Sequence, residues 1–173
     1  MHDINHPVWD VYDLLRTARL NVKYYSHRLD QIEKQNFTLE LIILCSAPTS
    51  AVAGLWFWEG EIGSVVWKWF GVIAAFAAII KPLLSLTKKI KAFDSVLSGY
   101  KILEHDLSEI KIMISQKQKY DLPAQTEFKK ALKRRGSLIG KDPETKHKCD
   151  LKKQCEREVL EELPSESFYI PKS

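Results

Sequence analysis

Cysteine is scarce in this chain of 173 residues, which contains three. Cys45 lies in an apolar run and Cys149 and Cys155 in a lysine-rich segment, which excludes the disulfide framework of a small secreted domain. His147 precedes these last two cysteines in an H-x-C-x5-C pattern, but a zinc site needs a fourth ligand. We therefore expect free thiols in a reducing environment and no bound metal.

Motifs that carry catalysis are absent too. The sequence has no phosphate-binding glycine loop, no nucleophile elbow and no pair of metal ligands at helical spacing. Its histidines are scattered over separate segments, at His2, His6, His27, His105 and His147. We expect neither an enzyme nor a cofactor.

The N-terminus lacks the pattern of a signal peptide, because it is polar and the first apolar run begins only near Phe37. The mean hydropathy of −0.22 and the formal net charge of +4 are ordinary values. These averages conceal an uneven distribution, in which apolar residues are concentrated in the second quarter of the chain and charges lie almost everywhere else.

Residues 1–36 are predicted to form a cytoplasmic, amphipathic N-terminal helix. Apolar residues recur every three or four positions, and Pro7 suits the first helical turn. The predicted seam consists of Val8, Val11, Leu15, Ala18, Val22, Tyr25, Leu29 and Ile32. The opposite face is charged, so the seam needs a partner helix.

Two apolar runs follow, at residues 37–58 and 64–86. No charge occurs from Leu41 to Trp58, which is about the length that a helix needs to cross a bilayer. Tryptophans flank the short acidic loop at 59–63, as in the aromatic belt of a membrane interface. Two apolar helices joined by so short a loop favour a transmembrane hairpin.

Lysines set the expected orientation of this hairpin. Lys88, Lys89 and Lys91 directly follow the second run, and the positive-inside rule then places both termini on the cytoplasmic side of the membrane. The alternative is a soluble helical bundle in which the hairpin is buried. The length of the first run, the tryptophan positions and the lysine cluster favour the membrane.

A long stalk helix is predicted at residues 87–122, in continuity with the second span. Its apolar seam is close to a heptad pattern, and consists of Leu86, Ile90, Phe93, Leu97, Tyr100, Leu103, Leu107, Ile110 and Ile114. This seam should pair with that of the N-terminal helix. The expected fold is therefore an all-α membrane protein, a two-helix transmembrane hairpin continued by long cytoplasmic antiparallel helices that resemble a coiled coil.

Residues 123–173 are predicted to form a basic helical C-terminal region and tail. The pattern suggests a short helix at 125–135, a loop at 136–143, a charged helix at 144–163 and a tail from Pro164 whose aromatic residues could dock back.

Charged residues inside the apolar runs are energetically costly in a bilayer, so they are candidates for a functional role. Glu40 and Lys81 lie near the cytoplasmic ends of the two spans, at similar depth. A mutual ion pair or snorkelling to the interface is favoured over a functional role.

Lys68 shares one helix face with Gly71, Ala75 and Ala78, and the first span carries a similar face of small residues at Ala47, Ala51 and Gly54. Such faces permit close packing in a homo-oligomer, or line an aqueous pore. They equally fit packing within one hairpin, with Lys68 snorkelling towards the acidic loop.

Cations after the second apolar run and in the basic C-terminal region are candidates for contacts with anionic lipid or with a partner protein. They are Lys88, Lys89, Lys91, Lys130, Arg134 and Arg135. The basic tail lacks interleaved aromatic residues for base stacking, which disfavours nucleic-acid binding.

This layout resembles the SLATT family, two-transmembrane effectors of bacterial nucleotide-signalling and antiviral defence systems. The resemblance lies in a soluble helix that contains Tyr24-Tyr-Ser-His-Arg-Leu29, a hairpin with a short loop, and a long helix through Lys88-Lys-Ile-Lys-Ala-Phe93 and Tyr100-Lys-Ile-Leu103. It covers about residues 8–163. Pro48 and Lys68 are features that the family pattern does not account for.

The resemblance implies a pore-forming or membrane-disrupting effector that causes growth arrest or death of the host cell. Nothing in the sequence looks like a nucleotide sensor, so a separate cytosolic protein or ligand would activate it. The competing hypothesis is a non-conducting membrane anchor or scaffold, whose stalk and basic tail recruit a cytosolic partner.

Overall fold

The computed structural model describes residues 6–46 and 61–170, and the described residues form helices without a β-strand. The helices are α1 (Val8–Ser46), α2 (Glu61–Leu84), α3 (Leu86–Lys117), α4 (Leu122–Ile139) and α5 (Cys149–Glu162), followed by a 3₁₀ turn at Ser165–Ser167. The prediction of an all-α protein is therefore confirmed.

The chain divides into two compact units. The bundle unit comprises Met1–Leu29 and Lys91–Ser173, and the apolar unit comprises Asp30–Ile90. Helix α1 is continuous across the first division and helix α3 across the second. Helix α1 also passes without interruption through residues 36 and 37, where the sequence suggested a change of segment.

The core of the bundle unit is the pair of seams that the sequence predicted. In α1 the seam residues from Val8 to Tyr25 are buried, and in α3 those from Phe93 to Ile114 are buried. Burying an aliphatic or aromatic side chain contributes about 1.5–3 kcal/mol, so these seams supply much of the stability. Tyr12 and Tyr24 are also fully buried, which the heptad-like pattern did not predict.

Helix α4 is longer than predicted. Asp121 caps its N-terminus by accepting a hydrogen bond from the Ala124 amide, and a proline occupies the first turn. The loop predicted from Gly136 is wrong, because the helix continues to Ile139. An exposed helical glycine lowers helix stability by about 1 kcal/mol relative to alanine. The other residues of α4 stabilise the helix enough to offset this cost.

The C-terminal segments also differ from the prediction. Helix α5 begins at Cys149 and not at Glu144, because the residues before it form a loop whose side chains bind α1. The tail docks on α1, as its aromatic residues allowed. Phe168 is buried and stacks on Tyr12 with ring centroids 4.3 Å apart.

Helix α2 in the apolar unit starts at Glu61, so the part of the predicted loop from Glu61 to Gly63 is helical. The helix contains Pro82 and ends two residues later. Ser85 has a positive φ of 47°, and its amide donates to the Pro82 carbonyl. The predicted continuity between the second apolar run and the stalk is thus interrupted at Ser85, whose φ lies outside the right-handed helical region.

No single helix among the described residues is both long and apolar enough to cross a membrane. The segments Gly71–Leu84 and Leu86–Lys117 meet the criteria of length and composition only when taken together, and they are bent by 41° at their junction. Residues 47–58, which hold most of the first apolar run, lie outside the described residues.

Candidate functional site: the exposed apolar surface and its charges

Large apolar side chains of the apolar unit face outwards. Helix α1 exposes Phe37, Leu41 and Leu44. Helix α2 exposes Val65, Trp69, Val72, Ile73, Phe76, Ile79, Ile80, Leu83 and Leu84. Among the α2 residues whose exposure is described, Ala77 is the buried one. Contiguous apolar surface of this extent is rare on soluble monomers and marks a site of interaction with another apolar phase or partner.

One ion pair links the two helices of this unit. The Lys81 ammonium lies 2.8 Å from a Glu40 carboxylate oxygen, so the ion pair expected from their similar depth is present. The Asn36 side-chain amide also donates to Glu40, at 3.1 Å. A shallow groove of about 440 Å³ lies beside this pair, lined mainly by apolar residues of α1 from Phe37 to Leu44.

The four small or cationic residues predicted to share a face of α2 all lie at the surface. Lys68, Gly71, Ala75 and Ala78 are exposed, and a Cβ added at Gly71 would meet no atom within 4 Å. No described residue therefore covers this face. Their predicted counterparts on the first run, Ala47, Ala51 and Gly54, lie outside the described residues.

The predicted lipid or partner contacts fall into two groups. Lys88, Lys89 and Lys91 are exposed near the start of α3. On α4, Lys130 pairs with Glu127 at 2.7 Å, Arg134 pairs with Asp106 at 2.5 Å, and Arg135 borders a groove of the bundle unit. Two of the three α4 cations thus already have partners within the chain.

A polar network in the bundle unit escaped the sequence analysis. The Tyr24 hydroxyl donates to Glu144 at 2.5 Å and accepts from the Lys148 amide at 2.9 Å. Arg28 forms a two-nitrogen ion pair with the same carboxylate. Burial, reinforced by the Glu144 carboxylate, raises the pKa of Tyr24. The network anchors the loop before α5 to α1, and contacts about 120 residues apart leave no local sequence signal.

Ion pairs fasten α5 to α1. Lys23 lies 2.9 Å from Glu158 and 2.8 Å from Glu162, and Arg19 lies 2.9 Å from Glu162. A hydrogen bond from Lys23 lowers the pKa of both carboxyl groups, joined by a hydrogen bond from Gln154 at Glu158 and by one from Arg19 at Glu162. These pairs are partly exposed and screened by solvent, so each contributes little to stability.

The docked tail makes polar as well as apolar contacts. The Arg16 guanidinium donates to the Leu163 carbonyl at 2.8 Å and lies 4.9 Å from the centre of the Phe168 ring. The Tyr12 hydroxyl donates to the Tyr169 carbonyl at 2.6 Å, and burial raises the pKa of Tyr12 to about 12. This segment is therefore part of the bundle unit's packing.

The described residues hold no group of three histidine, cysteine or acidic side chains arranged for a metal ion. His147 lies near the carboxylates of Asp142 and Glu144, at 3.4 and 3.8 Å. Cys149 is an exposed free thiol and Cys155 a buried one, and burial raises the pKa of Cys155.

The chain matches no protein-family model, no curated protein and no solved structure. The similarity to the SLATT family consequently remains a hypothesis from the sequence layout. Function is inferred below from the residues of the apolar unit.

Proposed function

We propose that this protein is a membrane effector whose residues 37–58 and 64–86 form a transmembrane hairpin in a bacterial inner membrane. Copies of the hairpin would assemble into a pore, or otherwise disrupt the membrane, when the protein is activated. The observation that carries the proposal is the exposure of every large apolar side chain of α2 whose burial is described, joined by Phe37, Leu41 and Leu44 of α1.

The free energy of hydration favours this interpretation over a soluble bundle. Leaving a Leu, Ile or Phe side chain in water forgoes about 1.5–3 kcal/mol relative to burying it. Among the described residues of the apolar unit, twelve large apolar side chains are exposed, as named above. Lipid removes this cost without any protein partner, and α2 satisfies its backbone hydrogen bonds internally, as a spanning segment must.

The charges fit one orientation of the hairpin. Lys81, Lys88 and Lys89 lie at the end of α2 and the start of α3, and Glu40 pairs with Lys81 near the corresponding end of the apolar stretch of α1. The positive-inside rule places this end, and with it both chain termini, in the cytoplasm. The Glu40–Lys81 pair would lie at the interface, where its charges stay hydrated.

The exposed face of Lys68, Gly71, Ala75 and Ala78 supports assembly. Small residues allow helices to approach closely in lipid, where no hydrophobic force drives their association. A lysine on that face would bring one positive charge per copy to a shared interface or conduit. Growth arrest or death after activation by a separate cytosolic protein rests on the similarity to SLATT effectors.

Controlled expression in bacteria, with a voltage-sensitive dye, tests the proposal. Wild-type protein is expected to resist carbonate extraction, depolarise the membrane and arrest growth. Lys68→Glu and Gly71→Leu should both insert but depolarise at least tenfold more slowly.

The matched controls are Lys101→Glu and Gly136→Leu. Lys101 is an exposed lysine of α3, and Gly136 is a helical glycine of the bundle unit with open space around its Cα. Both control variants should depolarise like the wild type. Release of the protein by carbonate would refute the hairpin, whereas insertion with unchanged potential and growth would favour the anchor or scaffold.

A further inference from the structure

The C-terminal tail, Pro164–Ile170, is attached to the bundle unit mainly through one side chain. Phe168 is buried, whereas the four residues before it are exposed and the two after it are half-buried. Ordering one backbone residue costs free energy of the same order as burying one aromatic side chain gains. One ring therefore offsets the ordering of this segment only in part, and the tail is expected to detach while the rest of the bundle stays folded.

The Phe168 ring occupies a pocket between two helices of the bundle unit. It stacks on Tyr12 of α1, with ring centroids 4.3 Å apart and planes 10° from parallel. The Arg16 guanidinium carbon of α1 and the Lys111 ammonium nitrogen of α3 each lie 4.9 Å from the centre of the Phe168 ring. Ring stacking and cation–π contacts both require a π face. The pocket therefore selects an aromatic side chain over an aliphatic one.

Donors beside this pocket hold the tail on both sides of Phe168. The Tyr12 hydroxyl donates to the Tyr169 carbonyl at 2.6 Å, and the Arg16 guanidinium donates to Ser165 Oγ at 3.1 Å. Phe168 itself is extended, with a φ of −99° and a ψ of 130°. Because every peptide has backbone carbonyls, the Tyr12 hydroxyl can bind any extended segment whose aromatic side chain fills the pocket. A pocket for one side chain beside a donor for the backbone is a common arrangement for peptide recognition.

Pro164 separates the tail from α5. The helix ends at Glu162, and Pro164 is extended, with a φ of −65° and a ψ of 153°. Helix α5 is fastened independently of the tail, since Cys155 and Val159 are buried and Lys23 pairs with two of its carboxylates. A change of backbone dihedrals after Pro164 can therefore release the tail without moving α5.

We propose that the pocket of Tyr12, Arg16 and Lys111 is a peptide-binding site, which the tail occupies as an internal ligand. The external ligand is an extended segment of a partner protein, with an aromatic residue in the place of Phe168 and a backbone carbonyl for the Tyr12 hydroxyl. The tail defines this chemistry, because it is the segment that the pocket binds. That this partner is the activator rests on the proposed function, whereas binding of the peptide does not.

Fluorescence anisotropy of a labelled peptide with the sequence of Leu163–Ile170 tests this, with the full chain in detergent micelles. The Phe168→Ala protein, whose own tail cannot fill the pocket, should bind the peptide. Wild-type protein should bind it at least tenfold more weakly, because the tethered tail competes at a high effective concentration. The same peptide with its phenylalanine replaced by alanine should bind the Phe168→Ala protein at least tenfold more weakly.

Further variants in the Phe168→Ala background locate the bound peptide. Lys111→Gln removes the ammonium group beside the ring, so it should weaken binding at least threefold. The matched control is Lys101→Gln, which removes an exposed lysine of the same helix and should leave binding unchanged. Tyr12→Phe keeps the stacked ring but removes the donor to the carbonyl, so it should weaken binding severalfold.

Thermal unfolding by circular dichroism distinguishes a binding site from a tail that only completes the fold. The Phe168→Ala protein should keep a cooperative transition, as a detachable tail requires. Loss of that transition, no binding up to millimolar peptide, or equal binding by wild type and Phe168→Ala would each overturn the proposal. Because this titration needs no conduction, its failure would leave the proposed pore intact, and failure of the pore would leave the binding site intact.

Discussion

The two units of this chain are built from the same kind of helix but distribute their apolar residues in opposite ways. In the bundle unit the seams of α1 and α3 are buried and the charges lie outside. In the apolar unit the large apolar side chains of α2 whose burial is described are exposed. The two units are therefore suited to different surroundings. The bundle unit excludes water from its apolar residues by packing them together, whereas the exposed apolar residues of the apolar unit need an apolar medium or partner.

This contrast also explains why the overall composition is uninformative. A chain average of −0.22 in hydropathy is ordinary for a soluble protein, yet it combines a charged bundle with a strongly apolar segment. Burial, and not composition, separates the two environments.

The largest expected effect comes from a cavity in the bundle core. Leu107 is fully buried, whereas Leu83 in the apolar unit is 76 % exposed. Leu107→Ala should lower the free energy of unfolding by about 2–5 kcal/mol because it leaves a cavity, and Leu83→Ala should change it by less than about 0.5 kcal/mol. Urea titration followed by circular dichroism measures both, and equal losses would erase the contrast between the units.

An arginine introduced on the exposed surface of each unit tests whether that surface faces water or lipid. Ile73 of the apolar unit is 48 % exposed and Ile102 of the bundle unit 52 % exposed. Ile73→Arg should cost about 3 kcal/mol of insertion free energy near the centre of a span, while Ile102→Arg should be nearly neutral. Carbonate extraction provides the measurement. Unimpaired insertion of Ile73→Arg would argue against a bilayer around α2.

Two glycines give a smaller effect within the bundle unit. A Cβ at Gly99 would lie 2.3 Å from Cδ2 of the buried Leu138, whereas one at Gly136 meets nothing within 4 Å. Gly99→Ala should destabilise by about 1 kcal/mol through overpacking, net of the gain in helix propensity. Gly136→Ala should stabilise by about 0.5–1 kcal/mol. Thermal unfolding of the two variants should move in opposite directions, and a shared direction would contradict the close approach of α3 and α4.

The smallest effect is a dependence on pH. The pKa of Glu162 is lowered by Lys23 and then by Arg19, so its folded value lies below the unfolded value of about 4.5. This contribution to stability is present above that pH and is lost as the pH falls through the folded pKa. Glu162→Gln should therefore reduce the drop in melting temperature between pH 7 and pH 3.5. An undiminished drop would mean that other carboxyl groups govern the acid response.

The sequence predicted the parts of the fold that depend on local periodicity. The seams of α1 and α3 followed from apolar residues every three or four positions. The interruption at Ser85 was missed because apolar residues continue on both sides of it. The extension of α4 past Gly136 was missed because the other residues of the helix outweigh the cost of one exposed glycine.

Polar contacts between residues far apart in the chain could not be predicted from the sequence. Tyr24 and Glu144 meet only because α1 and the loop before α5 pack together, and no spacing rule connects them. The Glu40–Lys81 pair was predictable because two antiparallel apolar helices place residues of similar depth side by side. The sequence predicted that small residues around Gly71 share one face of the helix. The partner that contacts this face stays a prediction.

The bundle unit is discontinuous in the sequence, and this fixes the order in which the two units can form during synthesis. The apolar unit is complete once residue 90 has been made. The bundle cannot close until Phe168, which stacks on Tyr12, has also emerged. At 5–20 residues per second, the intervening 78 residues take roughly 4–16 s. A nascent chain thus presents its apolar segment while the seam of α1 still lacks its partners. Under the proposed function, insertion of that segment would precede completion of the bundle unit.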